Sequence, residues 1–280
     1  MIIVDQPGFF TTIQDLGRLG SRHFGVPVSG CMDREAARKA NLLLENDPAD
    51  ALLEITMTGP ELTFQAPTYI AITGAHLPAF LNSSDIPLNT VVKVEAEDRL
   101  HFGKLQSGFR AYLAIKGGIQ TEPVLNSRSL YKPITTQNRL KKRQELPCTP
   151  WAEFDPKLTS IQSEKEATVT LGAFPGPEFN MLQAGQKKQL WESEFNVAKE
   201  NNRMAYQLEE HIGEHSITIL TSATIPGTVQ YTPAGKLIIL MRDCQTTGGY
   251  PRILQIEEDS LNQLAQLRTG DRFLLRKMEY

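Results

Sequence analysis

The chain has 280 residues, 40% of them hydrophobic and 22% charged, and a formal net charge of -3 at pH 7. This composition is typical of a globular protein, and the length suits two domains with cores of their own. The slight negative charge provides no broad positive field, which argues against nucleic acid or an anionic membrane as the main partner. A small molecule is the expected ligand.

The cysteines and the first residues indicate where the protein works. Cys31, Cys148 and Cys244 are an odd, widely spaced set that matches neither a disulfide framework nor paired zinc ligands. Residues 1–8 lack the pattern of a signal peptide, and no apolar run approaches the roughly 20 residues of a membrane span. We therefore expect a cytoplasmic protein without a membrane partner.

The first predicted element is a helix after Asp33, whose side chain can cap it. Small and apolar residues between positions 36 and 44 fall on one face of this helix, and Asn46-Asp47-Pro48 ends the pattern. Short apolar runs that follow predict strands. They cover residues 69–73, 90–94, 98–102 and 111–115.

A polar segment with three prolines, residues 141–166, has no regular period and predicts the connection between two β domains, residues 1–145 and 165–280. A helical stretch is predicted over residues 179–191, and Asp259 precedes another helix that Gly270 would end. Together with frequent turn signals, the pattern predicts a mainly β, antiparallel fold. The remaining predicted strands are residues 168–171, 217–220, 236–240 and 272–275.

The glycine-rich stretch 8–20 is the first candidate site. Its glycines allow sharp turns that bring Gln14, Asp15 and Arg18 to one edge of a sheet. The planar guanidinium of Arg18 can bind a carboxylate or phosphate through two parallel hydrogen bonds. The alternative is an Asp15–Arg18 ion pair that only fixes a turn.

The loop of residues 25–33 is a second candidate because it runs directly into the first helix. Free amides at a helix start attract anions. Asp33 opposes an anion there unless it caps the helix, and capping is the favoured interpretation.

The strongest local cluster is Gln245-Thr246-Thr247-Gly248-Gly249-Tyr250-Pro251, directly after an apolar strand. Its glycines permit close approach of a ligand, which the amide, hydroxyl and phenol groups can orient. A plain β-turn needs fewer polar groups, so a binding role is favoured. Arg203 and Tyr206 suit an anionic substrate in the same way, or form a strand edge with a half-buried ring.

Several common site types are not expected. His211 and His215 are four residues apart, but Gly213 between them weakens any helix, so the pair does not predict a metal site. The chain also has no Gly-x-Ser-x-Gly elbow, Walker loop or dinucleotide fingerprint.

These motifs resemble the allophanate hydrolase subunit 2 family, also called the biotin-dependent carboxyltransferase-like family. The resemblance is carried by Thr11-Thr12-Ile13-Gln14-Asp15 and by the cluster of residues 245–251, in this order and at this separation, and it continues through nearly the whole chain. It implies two cyclophilin-like β-barrel domains with a few short helices. It also implies a partner similar to subunit 1 of the same system.

Members of this family serve as the C subunit of ATP-dependent 5-oxoprolinase, as the carboxyltransferase region of urea carboxylase, or as a protein that antagonises a kinase inhibitor. A chain of this length resembles the 5-oxoprolinase type. The resemblance therefore implies lactam hydrolysis with ATP and Mg as cofactors. Biotin enters only in the alternative, carboxyl transfer involving urea or allophanate.

The resemblance also implies roles for the candidate residues. The expected catalytic residues, which would act on a proton, a magnesium ion or the ring, are Asp15, Asp33 and Tyr250. The expected substrate-binding residues are Gln14, Arg18, Arg203, Tyr206, Gln245, Thr246 and Thr247. The chain departs from the family pattern at Asn126, at Asn201-Asn202 and at Cys244, where Gly, Ser-Asp and Arg are usual, which leaves the substrate preference open.

Overall fold

In a computed structural model of the chain, the structure describes residues 1–162 and 169–279. Over these residues it has 20 strands and three α-helices, which confirms the mainly β fold. The chain forms two compact units, Met1–Arg18 with Ser29–Glu164 and Leu19–Val28 with Lys165–Tyr280. Residues 19–28 therefore belong to the second unit although they interrupt the first in sequence.

The strands of the first unit form two antiparallel sheets around one core. The elements are β1 (Ile2–Gln6), β2 (Phe10–Gln14), α1 (Arg34–Leu43), β3 (Leu52–Thr56), β4 (Glu61–Phe64), β5 (Thr68–His76), β6 (Ala79–Leu81), β7 (Ser84–Ile86), β8 (Val91–Val94), β9 (Arg99–Phe102), β10 (Ser107–Ile115) and β11 (Glu145–Leu146). The sheet orders are β11-β1-β4-β9-β6-β7 and β2-β3-β10-β5-β8.

Side-chain alternation along β10 explains how this unit is layered. Leu113 and Ile115 point into the core that both sheets share, whereas Tyr112 packs with the apolar face of α1. Successive side chains of a strand point to opposite faces, so one strand serves both layers. Complete burial of Leu43 on α1 stabilises the helix by about 1.5–3 kcal/mol. The predicted helix face is confirmed.

The second unit is built on a closed barrel with the strand order β12-β19-β16-β17-β14-β13-β20. A separate two-stranded ribbon, β15 with β18, completes its sheets. The elements are β12 (Val169–Pro175), α2 (Ala184–Glu192), β13 (Glu194–Asn201), β14 (Ala205–His211), β15 (Ser222–Ala223), β16 (Thr228–Tyr231), β17 (Lys236–Leu240), β18 (Thr247–Gly248), β19 (Arg252–Ile256), α3 (Glu258–Leu264) and β20 (Arg272–Lys277).

Two local predictions are wrong, and a third, the connection between the domains, lies largely inside the first unit. Residues 217–220 form no strand; the barrel is closed and offers no free edge to another strand. Glu257, not Asp259, precedes α3, which ends at Leu264 rather than near Gly270. The predicted connection 141–166 contains β11, which pairs with β1, and residues 163–166 of it lie outside the described residues.

The helices also bear on membrane insertion. Within residues 1–162 and 169–279, no helix is both long enough and apolar enough to cross a membrane.

Candidate functional site

Asp15 is the centre of a buried hydrogen-bond cluster in the first unit. Its Oδ1 accepts hydrogen bonds from Gly17 N (2.7 Å), Ser127 Oγ (2.8 Å) and Ser129 Oγ (2.6 Å). Its Oδ2 accepts one from Arg128 N at 2.6 Å. A carboxylate offers about four acceptor positions, so these donors use the acceptor capacity of Asp15. In this arrangement Asp15 fixes the segment 127–129 against the stretch 8–20.

Gln14 and Arg18 are bound to the same part of the first unit. Arg18 is fully buried, and its Nη2 donates to the carbonyl oxygen of Ser129. The Gln14 amide donates to Thr12 Oγ1 (3.1 Å) and Leu130 O (3.3 Å). Both side chains contribute to local order, and their roles as substrate ligands stay predictions.

Asp33 caps α1, as the favoured interpretation predicted. Its Oδ1 accepts a hydrogen bond from Ala36 N at 2.9 Å. The two amino-terminal motifs also meet, since Cys31 N donates to Asp15 O at 2.9 Å and Arg34 Nη2 donates to Leu16 O at 3.1 Å. The Asp33 carboxylate therefore stabilises the helix start, and its assignment as a proton carrier stays a prediction.

Glu54 is a buried carboxylate that the sequence patterns did not reveal as a site residue. Its Oε2 accepts hydrogen bonds from Met32 N (2.7 Å) and the Tyr112 hydroxyl (3.0 Å), and Arg110 Nε lies 3.9 Å from its Oε1. Burial, and then the negative charge of Glu54, raise the pKa of Tyr112 well above its usual value. The available signal was a single carboxylate inside the apolar strand β3.

Arg203, in the second unit, binds a carboxylate of the protein itself. Its Nε and Nη2 donate to Asp243 Oδ2 (2.8 Å) and Oδ1 (3.1 Å), and both residues are 8% exposed. Such a bidentate pair occupies the fork of the guanidinium. Tyr206 is fully buried, and its hydroxyl donates to Leu267 O at 3.3 Å. These contacts give both residues a structural role, and substrate binding by them stays a prediction.

The cluster 245–251 is different because it covers a layer of polar side chains. We call Arg22, Thr224, Gln230 and Gln245 the polar layer. Gln245 Nε2 donates to Gln230 Oε1 at 3.0 Å, and Thr224 Oγ1 donates to Gln245 O at 2.7 Å. Above this layer, Ala223 and Thr247 are paired in the β15–β18 ribbon.

The side chains of the cluster 245–251 differ in their exposure to solvent. Thr247 and Tyr250 are exposed, Tyr250 to 43%, whereas Gln245 and Thr246 are half-buried. The cluster thus offers an accessible hydroxyl and an accessible phenol, and its polar layer includes the buried Thr224 and Gln230. This part of the second unit has the chemistry expected of a small-molecule site.

Arg22 connects the amino-terminal sequence to this cluster. It lies in the segment 19–28 of the second unit, where its Nη2 donates to Thr224 O and, at 3.5 Å, to Thr246 O. Burial raises the pKa of the nearby Cys244 thiol to about 11, although the Arg22 charge acts in the opposite direction. The sequence patterns favoured Arg18 for this role and did not indicate Arg22, four residues further on.

Arg252 and Glu178 brace the ribbon from its other side. Arg252 Nε and Nη2 donate to Glu178 Oε2 (3.0 Å) and Oε1 (2.8 Å), while its Nη1 donates to Ala223 O at 2.9 Å. The hydrogen bond from Arg252 lowers the pKa of Glu178 below its usual value. The ribbon is therefore held by fixed arginine contacts.

A surface cleft of about 530 Å³ lies elsewhere, in the first unit. None of the predicted site residues lines it, and most of its lining side chains are exposed. Its charged lining residues are Asp5, Glu61, Arg99, His101, Lys142 and Arg143. The candidate site is therefore the polar layer rather than this cleft.

The implied magnesium–ATP site can be compared with the donors that are present. Within the part of the chain that the structure describes, no three His, Cys, Asp or Glu side chains group as metal ligands. Asp15 and Asp33, the carboxylates expected to hold magnesium, accept hydrogen bonds from N–H and O–H donors. These contacts give both carboxylates a structural role, and magnesium–ATP binding by this chain stays a prediction.

The fold, with two antiparallel sheets in the first unit and a closed barrel in the second, is that of a carboxyltransferase-like β protein. The family described as "Carboxyltransferase domain, subdomain A and B" matches residues 24–277, and the chain belongs to this family. The family resemblance seen in the sequence is confirmed.

Three related proteins place the chain within this family. It is 33% identical to the C subunit of 5-oxoprolinase from Escherichia coli (strain K12), over 96% of this chain and 89% of the relative. The crystal structure of TTHA0988 has a TM-score of 0.90 and 27% identity, over 98% of this chain and 55% of that one. The K. lactis urea amidolyase structure has a TM-score of 0.85 and 25% identity, over 99% of this chain and 19% of that one. The chain thus spans about half of the first solved protein and about a fifth of the second.

Proposed function

We propose that this chain is the C-type subunit of an ATP-dependent 5-oxoprolinase. In this proposal it acts in the cytoplasm with a subunit 1-like partner, and the two proteins together hydrolyse the lactam of 5-oxoproline. The observation that carries the proposal is the 33% identity to the C subunit of the E. coli 5-oxoprolinase, over 89% of that relative. The similarity therefore covers most of the length of a 5-oxoprolinase C subunit.

The chemistry of the polar layer supports a ligand of this type. 5-Oxoproline is a small molecule with a lactam carbonyl, a lactam N–H and a carboxylate. The exposed hydroxyl of Thr247 and phenol of Tyr250 can bind such groups, and the half-buried Arg22 provides positive charge. In this proposal the residues of this chain bind and orient the ring.

The division of labour between the two proteins follows from the reaction. A lactam is a poor electrophile, and ATP supplies the activation of its carbonyl oxygen that hydrolysis requires. Because the carboxylates expected to hold magnesium, Asp15 and Asp33, accept hydrogen bonds from the protein itself, we place ATP binding on the partner. Complete turnover then requires both proteins.

The second candidate function is carboxyl transfer involving urea or allophanate, with biotin on a separate carrier. The TM-score of 0.85 with the K. lactis urea amidolyase favours it, although the chain spans only 19% of that protein. A regulatory protein without turnover, which antagonises a kinase inhibitor, is the remaining alternative. In each of these functions the polar layer would bind a small polar molecule.

An assay of the chain in complex with its partner tests the proposal. The chain is purified with its partner, and phosphate release and glutamate formation are followed with ATP and either 5-oxoproline or urea. The urea assay also contains bicarbonate, a biotin carboxylase and a biotinylated carrier. We expect ATP-dependent glutamate formation with 5-oxoproline and no stimulation of phosphate release by urea. Stimulation by urea alone would support carboxyl transfer. Binding of 5-oxoproline without turnover would support regulation, and either result would refute the proposal.

A further inference from the structure

Gln230 has a buried donor that the protein does not use. The residue is 2% exposed, and its Oε1 accepts a hydrogen bond from Gln245 Nε2 at 3.0 Å. Throughout residues 1–162 and 169–279, its Nε2 finds no hydrogen-bond acceptor. A buried N–H group without an acceptor costs about 1–3 kcal/mol. Buried polar atoms are nearly always bonded, so this donor calls for an explanation.

The unused donor lies directly under the cluster 245–251. A Cβ atom placed on Gly248 would be 2.3 Å from Gln230 Nε2 and 3.3 Å from Thr224 Cγ2. Any side chain at position 248 would therefore require the Gln230 amide to shift. The glycine leaves room for Gln230 to approach the backbone of the ribbon.

Most of the other groups of the polar layer have partners, and Arg22 Nη1 is a second buried donor without an acceptor among the described residues. The Gln245 amide donates to Gln230, the Thr224 hydroxyl donates to Gln245 O, and Arg22 Nη2 donates to Thr224 O. The nearby carboxylate of Asp243 is bound by Arg203. The layer therefore combines the positive charge of Arg22 with the unused N–H of Gln230, a combination that attracts an oxygen acceptor.

We propose that Gln230 Nε2 donates a hydrogen bond to a carbonyl oxygen of the ligand, which enters beneath the β15–β18 ribbon. This inference rests on the proposed function, in which the oxygen is the lactam carbonyl of 5-oxoproline. The amide donor matches a neutral carbonyl acceptor, and Arg22 provides charge for the carboxylate of the same ligand. Gln230 is thus a binding residue of the site.

Entry of the ligand requires the ribbon to move. Two residue pairs join its strands, Ser222 with Gly248 and Ala223 with Thr247. Arg252 and Arg22 bind the carbonyl oxygens of Ala223 and Thr224. No atom comes within 4 Å of a Cβ position at Gly249. Movement is therefore expected at residues 247–249, which would uncover the Gln230 amide.

Substitution of Gln230, assayed in the complex with the partner, tests this role. Gln230→Met removes the donor at nearly constant length, so we expect KM for 5-oxoproline to rise about tenfold, the effect of one hydrogen bond of roughly 1.4 kcal/mol. Gln230→Met also removes the Oε1 that accepts from Gln245 Nε2, so the melting temperature can fall for that reason alone and KM is the quantity that decides. A merely structural role would lower the melting temperature and leave KM unchanged, and that result would overturn the inference.

Gln255→Met is the matched control. Gln255 is an amide on the neighbouring strand β19, but its Nε2 donates to Pro226 O at 2.8 Å and its Oε1 accepts from Thr228 Oγ1 at 3.1 Å. Loss of these satisfied bonds should lower the melting temperature and leave KM unchanged. The two variants are thus distinguished by KM, which should rise only for Gln230→Met.

NMR of the complex, with only this chain labelled with ¹⁵N, detects the contact directly. The side-chain amide signal of Gln230, identified by its loss in Gln230→Met, should shift with 5-oxoproline and 2-pyrrolidinone but not with cyclopentanecarboxylate. A shift with the carboxylate alone would overturn the carbonyl assignment. No shift with any of the three compounds would refute the inference, whether or not the wild-type complex turns over. A shift without turnover would refute the proposed function and support the Gln230 site.

Discussion

The stretch 8–33 and the cluster 245–251 look alike in sequence, since both combine glycines with polar side chains, yet they are built differently. In the stretch 8–33, the carboxylates of Asp15 and Asp33 accept hydrogen bonds from the protein's own donors. In the cluster 245–251, Thr247 and Tyr250 are exposed, and Gln230 next to Gly248 has an unused donor. A polar motif whose groups are satisfied internally orders the fold, whereas one with accessible or unused groups can bind a ligand.

Arg203 extends this comparison. The sequence around it suggests that it binds substrate, whereas in the structure its guanidinium binds the carboxylate of Asp243. Asp243→Ala would leave the 8% exposed guanidinium of Arg203 without its carboxylate. Breaking a buried ion pair costs about 3–5 kcal/mol. We expect the urea unfolding midpoint of the chain to fall accordingly.

The control for this variant is an exposed ion pair of the same unit. Arg272 and Glu194 are 66% and 47% exposed, so Glu194→Ala should cost at most about 1 kcal/mol. If Asp243→Ala unfolded at the wild-type urea concentration, Arg203 would be available to a substrate. Arg203 would then be grouped with the residues that can bind a ligand, together with Thr247 and Tyr250.

Asp15 provides the corresponding test in the first unit. Asp15→Asn keeps the size of the side chain but removes the charge and one acceptor oxygen, while Arg128 N and the hydroxyls of Ser127 and Ser129 remain buried beside it. We expect a loss of about 2–4 kcal/mol, measured by urea unfolding. Asp85→Asn, at an exposed position of β7, should change nothing. Unchanged stability with lost turnover would instead identify Asp15 as catalytic.

The cluster 245–251 should respond in the opposite way. Tyr250→Phe removes an exposed hydroxyl, so stability should stay within about 0.5 kcal/mol of wild type. If the phenol binds substrate, kcat/KM of the complex for 5-oxoproline should fall about tenfold. Thr218→Val, at another exposed position of the second unit, should alter neither quantity. Wild-type kinetics for Tyr250→Phe would remove this phenol from the site.

Local sequence patterns identified α1, most of the longer strands and the cluster 245–251, because helix capping, alternation and turn chemistry operate between near neighbours. They did not identify Glu54, whose partners Met32 and Tyr112 are 22 and 58 residues away. The choice between Arg18 and Arg22 depends on which unit each residue joins. The role of Gln230 depends on the space left by Gly248. These long-range relations have no periodic signal.

The smallest expected effect is a change in how the stability of the chain depends on pH, caused by Tyr112 in the first unit. Burial, and next the charge of Glu54, raise its pKa well above the usual value. The folded chain therefore keeps a proton that the unfolded chain releases near pH 10. This contribution to stability is complete below pH 10 and is lost as the pH rises further. Between pH 9 and 11, the urea midpoint of wild type should fall more steeply than that of Tyr112→Phe, whose ring cannot ionise. Equal slopes would mean that Tyr112 ionises in the folded state as readily as in the unfolded chain. The cluster around Glu54 would then be open to solvent, which contradicts its burial.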